Sequence, residues 1–138
     1  MKGGKSVDVV AIGSATQDIF ILSKNLSIIR SNKFPSGYAE CLGLGSKNDV
    51  EDLEFASGGG GTNTAATFAR LGFKTAVCTN LGDDEFGRQI KKELKVLNII
   101  DESVTKSKKK TAVSLILSQA GSDRSILTFR GASAEMAI

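Results

Sequence analysis

Gly58-Gly59-Gly60-Gly61-Thr62-Asn63-Thr64-Ala65-Ala66-Thr67-Phe68-Ala69-Arg70-Leu71-Gly72 is the stretch on which the reading of this chain turns. Glycine has no Cβ, so such a run can take positive φ and bring backbone amides close to a neighbour. After it, Ala65, Ala66, Phe68, Ala69 and Leu71 recur at helical spacing over Thr62 to Leu71, and Gly72 supplies a stop. A helix amino end beside the run offers unpaired N–H groups to electronegative atoms. Taken alone, the run is equally a ligand-contacting turn and a merely flexible one.

Outward from this stretch the pattern is strand, helix, strand, helix. Val7 to Ile12 is short, β-branched and mostly apolar, as suits a buried parallel strand, and Lys74 to Thr79 reads as a second. Asp83 or Asp84 can cap a helix whose apolar stripe is Phe86, Ile90, Leu94 and Leu97. A layered α/β sheet follows. Ser23 to Glu54 has no helical period, carries Gly37, Gly43, Gly45 and the only proline, Pro35, and is too long for a plain loop. Short antiparallel strands outside the main sheet are expected there. Thr111 to Leu117 and Ser125 to Phe129 are further strands, joined by a hairpin turn at 119–124.

Composition narrows the function classes. The 138 residues are 41% hydrophobic, enough for one core and too few for two. The net charge of +3 owes much to Lys106, Lys108, Lys109 and Lys110, without which the chain would be slightly acidic. With no aromatic residues interleaved, this run reads as a solvated loop and not as a nucleic-acid surface. Cys41 and Cys78 lack metal or redox spacing and are expected to be buried reduced thiols. Met1 to Lys5 is polar and the apolar runs are short, so neither a signal peptide nor a membrane span is expected and a cytoplasmic setting fits. Without histidine, Ser-His-Asp, Cys-His and histidine-metal chemistry are excluded.

Two nucleotide motifs are also excluded. A P-loop needs Lys and then Ser or Thr after its last glycine, whereas Thr62-Asn63 follows here. A dinucleotide fingerprint should follow the first strand, where Gly13-Ser14-Ala15-Thr16-Gln17-Asp18 stands. Asp18 lies just past that strand, where open α/β sheets place a ligand crevice. Its carboxylate can accept from vicinal hydroxyls, and Asn63 offers a donor and an acceptor, a pair suited to a polyhydroxylated ligand. Equally, Asp18 can cap a turn and Asn63 support a helix start.

Gly59-Gly60-Gly61, Asn63 and Ala65, then Gly72 after six intervening residues and Gly82 after nine more, resemble the first signature of the PfkB or ribokinase family. Gly13 to Asp18 looks like its first substrate loop, Gly82-Asp83-Asp84 with Gly87 like its second turn, and Thr128-Phe129-Arg130-Gly131-Ala132 like its post-lid segment. The resemblance covers essentially the whole chain. It implies an α/β fold, a partial ribokinase-like α/β/α sandwich core (about 5–16 and 58–104) with a small β-sheet lid (about 17–57 and 110–130). It also implies an ATP-dependent kinase of a sugar, or alternatively of a nucleoside, that forms a homodimer through its lid.

By the resemblance, Asp18 matches the aspartate that binds sugar hydroxyls, Gly58 and Gly59 the backbone contacts, and Asn63 the signature asparagine. Thr16 stands where ribokinase has an asparagine and Gly60 where it has a lysine, which points away from ribose. Arg130 lies in a segment near the site in relatives, and is also readable as a surface arginine at a strand end. The second family signature, with the catalytic aspartate, has no counterpart here. No catalytic or cofactor residue is therefore expected in this chain, and ATP and magnesium belong to the full-length enzyme. Helix capping is the better reading of Asp83 and Asp84 than a metal site or replacement base. Two rival readings are a non-catalytic sugar-binding or oligomerising module, and a piece that folds only with its other half.

Overall fold

The computed structural model describes residues 6–119, 121 and 123–136. The polar start Met1–Lys5, and Ala120 and Ser122 within the expected turn, lie outside the described residues. In chain order the elements are β1 (Val9–Ile12), β2 (Thr16–Leu22), β3 (Ser27–Arg30), β4 (Tyr38–Cys41), β5 (Asp52–Gly58), α1 (Gly60–Arg70), β6 (Thr75–Gly82), α2 (Glu85–Val96), β7 (Ile100–Ser107), β8 (Ala112–Ser118) and β9 (Arg124–Phe129), followed by a 3₁₀ turn at Gly131–Glu135. They divide into two compact units. Unit 1 comprises 1–18, 56–114 and 128–138; unit 2 comprises 19–55 and 115–127.

Unit 1 is built on a parallel sheet in the order β1-β6-β7. Val9 pairs with Thr75 and Ile12 with Cys78, while β6 pairs with β7 from Ala76–Ile100 to Gly82–Ser107, with a register shift between Ala76 and Cys78. Period-two alternation decides which face is covered. Thr75, Val77, Thr79 and Leu81 are buried on β6, and Ala11 on β1. Val77, Leu81 and Ala11 join Ala15, Ala65, Ile90, Leu94 and Ile99 in one core. On β1 the flanking Val10 and Ile12 are 50% and 58% exposed, so apolar side chains remain uncovered on that strand.

The helices follow the sequence pattern with shifted ends. Of the expected stripe on α2, Ile90 and Leu94 are buried, Leu97 packs on the core and Phe86 is half-buried. α1 begins at Gly60, inside the glycine run and two residues earlier than the apolar spacing indicates. The strand β7 is a departure, because Lys106 belongs to it and forms an exposed ion pair with Asp83 at 3.3 Å, not to a loop. Its composition is polar, and it is a strand because β6 supplies a pairing edge. Cys41 and Cys78 are both free and half-buried, less enclosed than expected.

Asp84 caps α2 and does more. One carboxylate oxygen accepts from Gly87 N–H (2.9 Å) and the Thr111 hydroxyl (2.6 Å), and the other from Thr111 N–H (2.8 Å). Burial alone would push this carboxyl up, but the bonds from Thr111 and Gly87, with the charge of Lys110, hold it below the ordinary carboxylate value. Its contribution to stability is therefore complete above pH 3.8, the ordinary value, and is lost as pH falls through the lower folded value. Replacing Asp84 by alanine should cost about 2 kcal/mol, combining a lost cap with orphaned donors at Thr111. Chemical unfolding at neutral pH measures this, and a loss below a few tenths of a kcal/mol would contradict it.

Unit 2 contains the antiparallel pair β3–β4, with Ser27 opposite Cys41 and Arg30 opposite Tyr38. This is the short antiparallel pairing expected in the irregular stretch. Ile28, Ile29, Phe34 and Tyr38 are exposed around it. Ser23 and Asn25 both donate to the Asp49 carbonyl, at 3.2 and 3.0 Å, tying the start of the unit to its long loop. A four-stranded sheet runs in the order β5-β2-β8-β9.

Candidate functional site

Asp18 does not sit in a loop after β1; it is the third residue of β2. The chain turns within Gly13 to Ala15 and resumes extended pairing at Thr16, so strand geometry fixes the carboxylate. Gln17 anchors the position: its side chain is 1% exposed and donates to the Ala56 carbonyl at 2.9 Å. The half-buried Asp18 carboxylate lies against Gly58, where a Cβ would overlap it. Burial pushes the Asp18 carboxyl up, while a hydrogen bond with Ser114 draws it down. No feature of the sequence singled out Ser114; it reaches Asp18 because β2 and β8 are sheet neighbours.

The glycine run owes most of its composition to close packing. Gly59 has φ 100° and ψ 150°, and a Cβ there would stand 2.5 Å from the Ser14 carbonyl oxygen. Only glycine adopts that conformation without strain. The first donors of α1 are satisfied by the same loop: Gly61 N–H donates to the Ser14 carbonyl (2.9 Å) and Gly60 N–H to the Ser14 hydroxyl (3.1 Å). The Thr62 hydroxyl closes the turn by donating to the Gly58 carbonyl. Amides that the sequence offers to a ligand are thus engaged by a serine 46 residues away. Gly60 is the exception in space, exposed and with nothing within 4 Å of an added Cβ.

The other candidate residues fall in two groups. Thr16 and Arg130 line one cavity of about 250 Å³ together with Ser14, Ala112, Thr128 and Ser133. Asn63 lines a different cavity of about 210 Å³ that includes Ser57, Arg70 and Glu93, but not Asp18, Thr16 or Arg130. Position 63 is the fourth residue of α1, and helical twist carries its side chain toward the groove shared with α2. Its backbone N–H donates to the Gly59 carbonyl at 2.9 Å, a helix-start role. Within that groove Glu93 accepts from Ser57, through both its N–H (3.2 Å) and its hydroxyl. The expected meeting of Asp18 and Asn63 in one hollow is not seen among the described residues.

Residues 8–138 match the sequence model of the pfkB family carbohydrate kinase. The chain belongs to that family. Fructokinase-2 of Solanum lycopersicum is 35% identical to it over 82 residues, which is 59% of this chain and 25% of that protein. Ribokinase from Cryptococcus neoformans var. grubii serotype A, solved in complex with ADP, superposes with a TM-score of 0.69 at 23% identity, covering 92% of this chain and 36% of the other. Ribokinase of Arabidopsis thaliana, complexed with ribose and ATP, gives 0.68 at 22% identity over 92% and 37%. These likenesses establish a partial ribokinase-like α/β fold. The chain spans about a quarter of the length of the curated relatives it matches.

The pfkB family membership raises the question of nucleotide and metal. Among the described residues, no three of His, Cys, Asp and Glu gather closely enough to hold a metal ion. Asp83 pairs with Lys106 and Asp84 is occupied by Gly87 and Thr111, so neither fits a cation site. Among the described residues no helix is long and apolar enough to cross a membrane.

Proposed function

We propose that the whole protein transfers the γ-phosphoryl group of ATP to a hydroxyl of a sugar, and that this chain supplies the acceptor side. The sugar oxygen would form the new bond to phosphorus as the bond to ADP breaks. The base that takes the hydroxyl proton, and the groups that hold ATP and magnesium, are assigned to the part of the kinase outside these residues. The observation that carries the reading is the Asp18 carboxylate, half-buried and backed by the bare edge of Gly58, in a family member. A fixed carboxylate accepting hydrogen bonds from two hydroxyls selects a vicinal diol and holds one oxygen for attack. Thr16 and Arg130 are assigned to the same acceptor. Asn63 takes second place, and its replacement by alanine should raise the acceptor KM less than replacement of Asp18.

Unit 2 is assigned the lid that excludes water during transfer, so that ATP is not spent on hydrolysis. Its exposed Ile28, Ile29, Phe34 and Tyr38 suit burial against a second copy, which supports a homodimer through the lid. On β1, the uncovered Val10 and Ile12 suit a packing layer from the rest of the kinase. The test is ADP release by the intact protein over a panel of neutral and acidic sugars and nucleosides, with sedimentation on the same preparation. Sugar-dependent ADP release from a dimer is expected. A nucleoside preferred over every sugar would move the acceptor class, and no acceptor-dependent release would refute the kinase reading.

A further inference from the structure

We infer that unit 2 carries a second binding site, for a free α-amino acid with an apolar side chain, in the cavity that the β3–β4 pair forms with the start of β9. The cavity measures about 540 Å³ and is lined by Ile28, Tyr38 and Glu40 on one side and by Asp123, Arg124 and Ser125 on the other. That volume falls in the range of sites that take a whole small molecule, roughly 300 to 1,000 Å³. All of these residues belong to unit 2, so the inference stands apart from the acceptor chemistry assigned to Asp18.

The residue that asks for a ligand is Glu40. Both of its carboxylate oxygens are screened from solvent, and neither has a hydrogen-bond partner among the described residues. A carboxylate closed off from water without a donor is costly, and folded proteins keep one only where something supplies the donor. Arg124 is its counterpart across the cavity. It pairs with no carboxylate among the described residues, whereas Lys24, Arg88, Lys106 and Lys109 each do. Asp123 is already engaged, its carboxylate accepting from Arg124 N–H at 2.8 Å. The facing wall is held in place, because the Ser36 hydroxyl donates to the Tyr38 carbonyl at 2.8 Å and Gly37 N–H to the Phe34 carbonyl at 2.9 Å.

Opposite charges that line one hollow without forming a pair define what fits between them. An amine alone answers Glu40 and leaves Arg124 facing a like charge; a carboxylate alone answers Arg124 and leaves Glu40 orphaned. An α-amino acid carries both groups, its ammonium donating to Glu40 and its carboxylate taking the guanidinium fork. Rotation about the soft terminal torsion of Glu40 turns an oxygen toward such a guest. The strand register sets Ile28 opposite Glu40 and puts Tyr38 on the same face, so an aliphatic side chain and an aromatic ring remain to cover the apolar side chain. Ile29 pairs with Ala39 on the other face, so a second copy packed on that face leaves the cavity open.

The experiment is calorimetric titration of the intact protein, without ATP or sugar, with L-leucine and L-phenylalanine, and with 3-methylbutylamine and 4-methylpentanoate as leucine lacking its carboxylate or its ammonium group. One of the two amino acids is expected to bind about tenfold or more tightly than either truncated analogue, the value of a charge-assisted bond. E40Q and R124M should each weaken it about tenfold or more, and the amino acid should raise the melting temperature of the wild type but not of E40Q. Ligand-free E40Q should melt at or above the wild type, because the amide removes an unanswered charge. A lower melting temperature assigns Glu40 to the fold and overturns the site. No binding of either amino acid at millimolar concentration, or an affinity indifferent to E40Q, also overturns it. So does weaker self-association of E40Q on sedimentation without amino-acid binding, which makes a second copy the partner of Glu40. Acceptor-dependent ADP release is a separate readout, so the kinase reading stands or falls independently.

Discussion

Replacing Asp18 by alanine in the intact kinase is expected to raise the acceptor KM or Kd about tenfold or more, because each charged hydrogen bond lost is worth about 1.5 to 3 kcal/mol. The asparagine variant separates binding from stability. Burial raises the folded Asp18 carboxyl, so the folded chain takes up a proton more readily than the unfolded one. The ionised form therefore costs stability at neutral pH. That cost vanishes below pH 3.8, the ordinary value, and sets in as pH rises through the higher folded one. Asp18→Asn should consequently melt above the wild type at pH 7, with the advantage fading in acid, while acceptor affinity falls. Thermal melts across pH on both proteins check the sign. A variant that is less stable at pH 7 would show that the carboxylate serves the fold and not a ligand.

The second large effect is a contrast between adjacent glycines. At Gly59 an added Cβ meets backbone only, the Ser14 carbonyl and the Ala15 Cα at 3.0 Å, and φ is 100°. Neither neighbour can move without dismantling the turn that caps α1. Gly59→Ala should destabilise by about 3 to 5 kcal/mol, strain and overlap together. Gly60→Ala meets nothing within 4 Å and should be neutral or gain about 0.5 kcal/mol by restricting the unfolded chain. Urea unfolding of the pair is the measurement, and equal midpoints would contradict the packing described for this turn.

The elements governed by local chemistry were legible in the sequence. Asp84 stood immediately before an apolar stripe, and it caps α2. Gly72 stood as the stop after Leu71, and α1 ends at Arg70 with Leu71 as its C-cap. Lys74 to Thr79 was legible as a β-branched strand, and β6 runs from Thr75 to Gly82. What stayed hidden depends on partners distant in sequence. Ile100–Ser107 is polar enough to pass for a loop and becomes a strand only through pairing with β6. The glycines could be recognised as a close approach, yet whether they approach a ligand or Ser14 depends on a turn 46 residues upstream. Asp18 was found by type and position, whereas Ser114 beside it emerged only when β8 was placed next to β2. The direction of Asn63 needed the true first residue of α1, which the glycine run concealed.

The most direct measurement is acceptor affinity and melting temperature together for Gly58→Ala in the intact kinase. The three nearest neighbours of a Cβ at 58 all belong to the Asp18 side chain, so the methyl displaces that carboxylate. The account predicts that acceptor KM rises about tenfold or more while the melting temperature moves by only a few degrees. An unchanged KM at unchanged stability would contradict the placement of the acceptor at Asp18.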